Sequence, residues 1–107
     1  MLKSKIAGIG HYVPDKVVTN DDLAKVMDTS DEWVRERTGI EQRRYGTKHK
    51  QTTTTMGVEA AKIAIERAGI TIEEVDFIIF ATLSPDYYFP GCGVLLLREL
   101  GFTNTEV

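Results

Sequence analysis

Residues 76–82, Asp-Phe-Ile-Ile-Phe-Ala-Thr, form a short apolar run bounded by charge and turn residues. A run of that length without polar alternation predicts a strand covered on both faces, as a central strand of a parallel sheet is. Parallel neighbours need a long crossover, usually helical, and the preceding segment supplies one. Residues 56–68 carry the best helical pattern in the chain, the hydroxyl-rich stretch 51–55 offers several caps, and Gly69 closes the helix. Its inner face would hold Gly57, Ala60, Ala61, Ala64 and Ala68, small residues that let a helix axis come close to the layer it covers. Burial over much of this helix is therefore expected.

The remaining punctuation extends the pattern. Residues 4–13 alternate well enough for a first strand, with Gly8 and Gly10 permitting a close neighbour and Pro14 ending it. Thr19 and Asn20 are N-cap candidates for a short helix over 21–27, whose Asp21 and Asp22 suit the positive end of its dipole. A second short helix begins at Ser30, with Asp31 and Glu32 in its first turn and Gly39 as its stop. Residues 40–45 are extended. After a loop over 83–90, a last helix runs over 91–100 and Gly101 stops it. The alternation predicts an α/β layer architecture with parallel strands. A buried parallel strand needs neighbours on both sides, and few strands are supplied here, so the chain is expected to be a fragment of a larger protein.

Composition narrows the classes. The 107 residues are 42% hydrophobic and 27% charged, with 13 Lys and Arg against 16 Asp and Glu and a net charge of −3. These values suit one soluble globular domain with a modest core and exclude collagen, extended disorder and repeat arrays. The longest apolar stretch, 77–81, is far short of the roughly 20 residues that cross a bilayer, and the start, Met-Leu-Lys-Ser-Lys-Ile, lacks a signal-peptide apolar region. A cytoplasmic protein that does not enter a membrane is expected. The single cysteine, Cys92, makes neither an internal disulfide nor a cysteine-based zinc site. Mild acidity argues against a general nucleic-acid binder. Residues 35–50 nevertheless gather Arg35, Arg37, Arg43, Arg44, Lys48 and Lys50 against only Glu36 and Glu41. On charge alone this stretch is either a solvated edge or an anion-binding patch.

Several motifs carry little. Gly8-Ile9-Gly10 follows a strand, but Val13 occupies the third glycine position of a dinucleotide fingerprint and Pro14 follows where the helix should start. Cys92 starts a helix whose dipole favours a thiolate, yet no histidine is placed to activate it, and a small buried packing residue is the simpler reading. His11 and His49 lack metal-ligand spacing. The segment 28–40 says more. Trp33 and Arg37, four residues apart on one helix, put an indole face beside a guanidinium. Such a pair can stack on a nucleobase and bind a phosphate, or it can be an intrahelical cation–π pair with Trp33 plugging the core. The residues alone leave both open.

Thr-Ser-Asp-Glu-Trp-Val-x-x-Arg-Thr-Gly-Ile is preceded by Gly-x-Gly-x-Tyr-Val-Pro. It is followed by Met-Gly-x-Glu-Ala-Ala and by Ala-Thr-x-Ser-Pro-Asp-x-x-Phe-Pro. In this order, over nearly the whole chain, the motifs resemble the amino-terminal part of β-ketoacyl-acyl carrier protein synthase III, a thiolase-like condensing enzyme. The resemblance implies a five-layered αβαβα thiolase fold, normally homodimeric, of which residues 1–107 are an incomplete first half continuing beyond Val107. It implies transfer of an acyl group from acyl-coenzyme A to a cysteine, then decarboxylative condensation with malonyl-acyl carrier protein to a 3-oxoacyl product. No cofactor or metal is implied.

By match to the motifs, Trp33 would stack on the adenine of coenzyme A, Arg37 would contact its phosphates and Thr29 would line the same entrance. Phe89 resembles the aromatic that crosses the dimer interface and borders the partner's acyl pocket. The neighbouring Tyr87 and Tyr88 could equally cap the chain's own core. The family's catalytic Cys, His and Asn belong to segments after the one matching 101–107, so no catalytic residue is assigned here and the chain alone should be inactive. Two alternatives stay open: another acyl-coenzyme A condensing enzyme, of the hydroxymethylglutaryl-coenzyme A synthase or head-to-head type, and a non-catalytic coenzyme A binding or dimerisation module.

Overall fold

A computed structural model describes residues 2–47, 49–103 and 105–107. The chain divides into two compact units, Val13–Lys48 and the combination of Met1–Tyr12 with His49–Val107. Lys48, counted in the basic stretch, lies outside the described residues.

In the unit Val13–Lys48, strand β1 (Lys16–Thr19) leads directly into helix α1 (Asn20–Ala24); helix α2 (Asp31–Thr38) and strand β2 (Gln42–Tyr45) follow. The two strands pair antiparallel with Lys16 opposite Tyr45 and Thr19 opposite Gln42. The first strand therefore begins after Pro14, where the sequence predicted an ending. Local alternation could not reveal this, because a strand is defined by its partner, and β2 runs beside 16–19. Helix α1 starts as expected: the Thr19 hydroxyl accepts from the Asp22 N–H at 3.1 Å, and the Asp22 carboxylate accepts from the Thr19 N–H at 2.9 Å. It ends at Ala24 instead of 27, with Val26 and Met27 both donating to the Leu23 carbonyl in tight turns. Val18 and Asn20 are the buried side chains from the two opening elements.

In the other unit, helix α3 (Thr53–Ala68) is capped by Thr52, whose hydroxyl accepts from the Thr55 N–H at 3.2 Å, and it stops at Gly69 in the left-handed region at φ 67°. Part of the hydroxyl run thus lies inside the helix. A 3₁₀ turn (Ile72–Glu74) and helix α4 (Cys92–Leu100) follow, the latter ending at Gly101. Val58 of α3, Leu96 of α4 and Phe102 form the buried centre, with Ala61, Ile65, Ile78 and Phe80 packed against it.

Residues 8–10 pass beside α3, and residues 4–13 are not paired as a strand with any described residue. The expected close approach is nevertheless present: a Cβ at Gly8 would fall within 2.7 Å of the Ala68 nitrogen, and one at Gly10 within 2.6 Å of the Ala64 nitrogen. The small face of α3 therefore receives main chain. Among the described residues the apolar run 76–82 makes one parallel bridge, Phe77 with Glu106, in which the Ile78 N–H donates to the Glu106 carbonyl at 2.8 Å. Its side chains alternate: Ile78 and Phe80 join the core, whereas Phe77 and Ile79 are 56% and 85% exposed. Among the described residues one layer packs against the run, so the coverage of both faces expected from its unbroken apolar character is not seen. For the same reason α3 buries fully only Thr54 and Val58.

Candidate functional site

Helix α2 is built from local rules. The Ser30 hydroxyl accepts from the Trp33 N–H at 3.1 Å, Asp31 and Glu32 sit in the positive first turn, and Gly39 closes the end at φ 72° with its N–H on the Arg35 carbonyl at 2.8 Å. With both ends fixed, positions 33 and 37 fall one turn apart on one face. The Arg37 guanidinium carbon stands 4.6 Å from the centroid of the Trp33 ring. Trp33 is 52% exposed, so it is not a core plug, and the pair is an accessible cation–π surface. A shallow groove lined by Asp28, Thr29, Ser30 and Trp33 adjoins it. Thr29, half-buried, forms part of that wall. A flat π face, a guanidinium over it and a hydroxyl wall together suit a ligand with an aromatic base and a phosphate.

The first turn of α2 is also the centre of a polar network that sequence reasoning missed. The Asp31 carboxylate accepts from Arg35 Nε at 2.9 Å and from the Asn20 side-chain amide at 2.9 Å, and Arg35 Nη1 reaches Glu41 at 2.8 Å. Hydrogen bonds from Arg35 first, and then from Asn20, hold the Asp31 carboxyl below its ordinary pKa of 3.8. Arg43 donates to Asn20 Oδ1 at 2.7 Å and to the Val18 carbonyl at 3.3 Å, and Arg44 donates to the Pro14 carbonyl at 3.0 Å. Two cations of the basic stretch therefore stitch their own unit together and are not simply solvent-facing. The only hint in the sequence was Asn20 as a cap candidate. Its partners lie up to 23 residues away, beyond any helical or turn spacing.

The remaining predicted positions fall in the other unit. Phe89 is 92% exposed, and Tyr87 and Tyr88 are exposed as well, so none of the three rings caps the chain's own core. Cys92 is buried at the start of α4, where its sulfur accepts from the Asp86 N–H at 3.4 Å, as a packing residue would. Burial alone would raise the Asp86 carboxyl, but hydrogen bonds from the Thr54 and Thr52 side chains and the Thr54 and Thr53 backbone outweigh it and hold the group below its usual range. Among the described residues no group of three or more His, Cys, Asp or Glu could hold a metal ion, and no helix is long and apolar enough to cross a membrane.

The α/β arrangement recurs in solved condensing enzymes. It superposes on 3-oxoacyl-[acyl-carrier-protein] synthase III from Aquifex aeolicus with a TM-score of 0.88 and 42% identity, over 96% of this chain and 34% of that one. It also superposes on the priming β-ketosynthase of the R1128 polyketide pathway with a TM-score of 0.86 and 31% identity, over 96% of this chain and 31% of that one. The fold is thus that of a portion of a thiolase-like condensing enzyme. In sequence the chain is similar to β-ketoacyl-[acyl-carrier-protein] synthase III: the protein of that name from Ehrlichia canis is 47% identical over 104 residues, 97% of this chain and 32% of its own length. The chain spans about a third of the length of the curated relatives it matches. No family model matches it.

Proposed function

We propose that the protein containing this chain is an acyltransferase of fatty-acid synthesis acting as a 3-oxoacyl-acyl carrier protein synthase III. In this reading a cysteine thiolate attacks the carbonyl of acyl-coenzyme A and expels the coenzyme A thiolate. Malonyl-acyl carrier protein then loses carbon dioxide, and the resulting carbanion attacks the acyl-cysteine, forming the new carbon–carbon bond and returning the thiolate. No cofactor takes part, and the assembly is a cytoplasmic homodimer. Residues 1–107 form an incomplete first half of the domain, without the catalytic Cys, His and Asn, and are inactive alone.

The observation that carries this reading is the accessible Trp33–Arg37 pair beside Thr29. The indole stacks on adenine, the guanidinium contacts phosphate, and Thr29 borders the entrance. Phe89, projecting from its loop, crosses to the second subunit and borders its acyl pocket. The test is turnover of the intact protein with acetyl-coenzyme A and malonyl-acyl carrier protein. One carbon dioxide and one free coenzyme A thiol per 3-oxoacyl product are expected. Coenzyme A binding without any condensation product would assign the chain to a non-catalytic module instead.

A further inference from the structure

Asn20 is fully buried, at 0% exposure. Both of its polar atoms are paired: Nδ2 donates to Asp31 Oδ1 at 2.9 Å and to the Ile40 carbonyl at 2.8 Å, while Oδ1 accepts from Arg43 at 2.7 Å. The orientation is forced by chemistry, since a carboxylate and a carbonyl only accept and a guanidinium only donates. These partners are not random neighbours. Asp31 is the first residue of α2, and Ile40 follows its Gly39 cap, so one amide holds both ends of the helix that carries Trp33 and Arg37. Asn20 itself stands where β1 passes into α1, with its own N–H on the Glu41 carbonyl at 3.2 Å, so the clamp is anchored in the two-stranded sheet.

We infer that Asn20 is a positioning residue for the nucleotide-binding face of α2: its side-chain amide fixes where the helix stands on the β1–β2 pair, and through it where the Trp33 ring and the Arg37 guanidinium are held. The inference rests on the reading that these two residues grip coenzyme A. Aspartate would face the Asp31 carboxylate with a second acceptor, serine is too short to span both ends, and leucine would take one partner each from the Ile40 carbonyl, the Asp31 carboxylate and the Arg43 guanidinium.

The test is a double-mutant cycle in the intact protein, with coenzyme A alone as the titrant and calorimetry as the readout. Asn20→Ala should raise the Kd about fivefold or more, and should raise KM for acyl-coenzyme A by more than it lowers kcat. In a Trp33→Ala background the same substitution should cost less, leaving only the share that acts through Arg37, and in a Trp33→Ala, Arg37→Ala background it should cost almost nothing further. An Asn20→Ala effect on Kd that persists in full without Trp33 would overturn the inference, as would an unchanged Kd. If Asn20→Ala does not fold, Asp31→Ala, which removes the acceptor at one end of the clamp, is held to the same two outcomes. Should Trp33→Ala alone leave the Kd unchanged, the coenzyme A reading of this face falls and the inference with it. A loss for Trp33→Ala beside none for Asn20→Ala overturns the positioning role by itself.

Discussion

The Arg37 guanidinium lies over the Trp33 ring, 4.6 Å from its centroid, on a helix whose two capping residues, Ser30 and Gly39, are both in place. The pair is held by local geometry, and its surface is open to a ligand.

If the indole stacks on an adenine, Trp33→Ala in the intact protein should weaken coenzyme A binding by about 1–3 kcal/mol, the usual contribution of one stacked base. Titration calorimetry checks the value. The thermal midpoint should change little, because the ring is half outside the fold.

Arg37→Lys should restore only part of what Arg37→Ala loses in KM for acyl-coenzyme A. A lysine is a point charge without the planar fork that both stacks on the indole and pairs with phosphate oxygens. Equal KM values for arginine and lysine at this position would remove the paired-contact argument.

Gly8→Ala and Gly10→Ala should each destabilise the intact protein by about 1–3 kcal/mol, the usual cost of overpacking. The new methyl would press on the backbone of α3 between Ala60 and Ala68, which has no side chain to move aside. Denaturant unfolding measures the loss, and an additional Ala68→Gly should recover part of it for Gly8→Ala alone, since the Ala68 Cβ is one of the atoms met there.

The Asp31 carboxyl is held below its unfolded value of 3.8, so the folded state favours its charged form. The associated stability is fully present above that value and is lost as pH falls through the lower, folded value. Acid unfolding followed from about pH 5 downward should therefore show a component that Asp31→Asn abolishes. A wild-type profile superimposable on that of Asp31→Asn would contradict the network.

Residues 1–107 produced alone should lack a cooperative thermal transition and should bind a hydrophobic dye. Phe77, Ile79, Ile6 and Ile9 all stand more than half exposed, and the buried apolar centre is small. A sharp calorimetric transition of a monomer would contradict this.

Helix α2 was legible residue by residue, since Ser30, the acidic first turn and Gly39 act within a few positions of one another. Helix α3 and its small-residue face were legible for the same reason. The first strand was misplaced. The alternation in 4–13 is real, but its Gly8 and Gly10 are matched to a helix, and the ladder forms instead at Lys16–Thr19, where β2 supplies the partner.

Sequence by itself determined the helix ends, the one-turn spacing of Trp33 and Arg37, and the motif order shared with the synthase III relatives, because each depends on residues close along the chain. The tertiary structure alone decided that the indole is exposed and that Arg43 and Arg44 hydrogen-bond groups of their own unit, Asn20 and the Val18 and Pro14 carbonyls. The tertiary structure also decided that Asn20, set apart from Asp31 by 11 residues, joins both ends of α2. Those facts depend on which distant groups meet, and a buried amide's partners have no period along the chain from which they could be read.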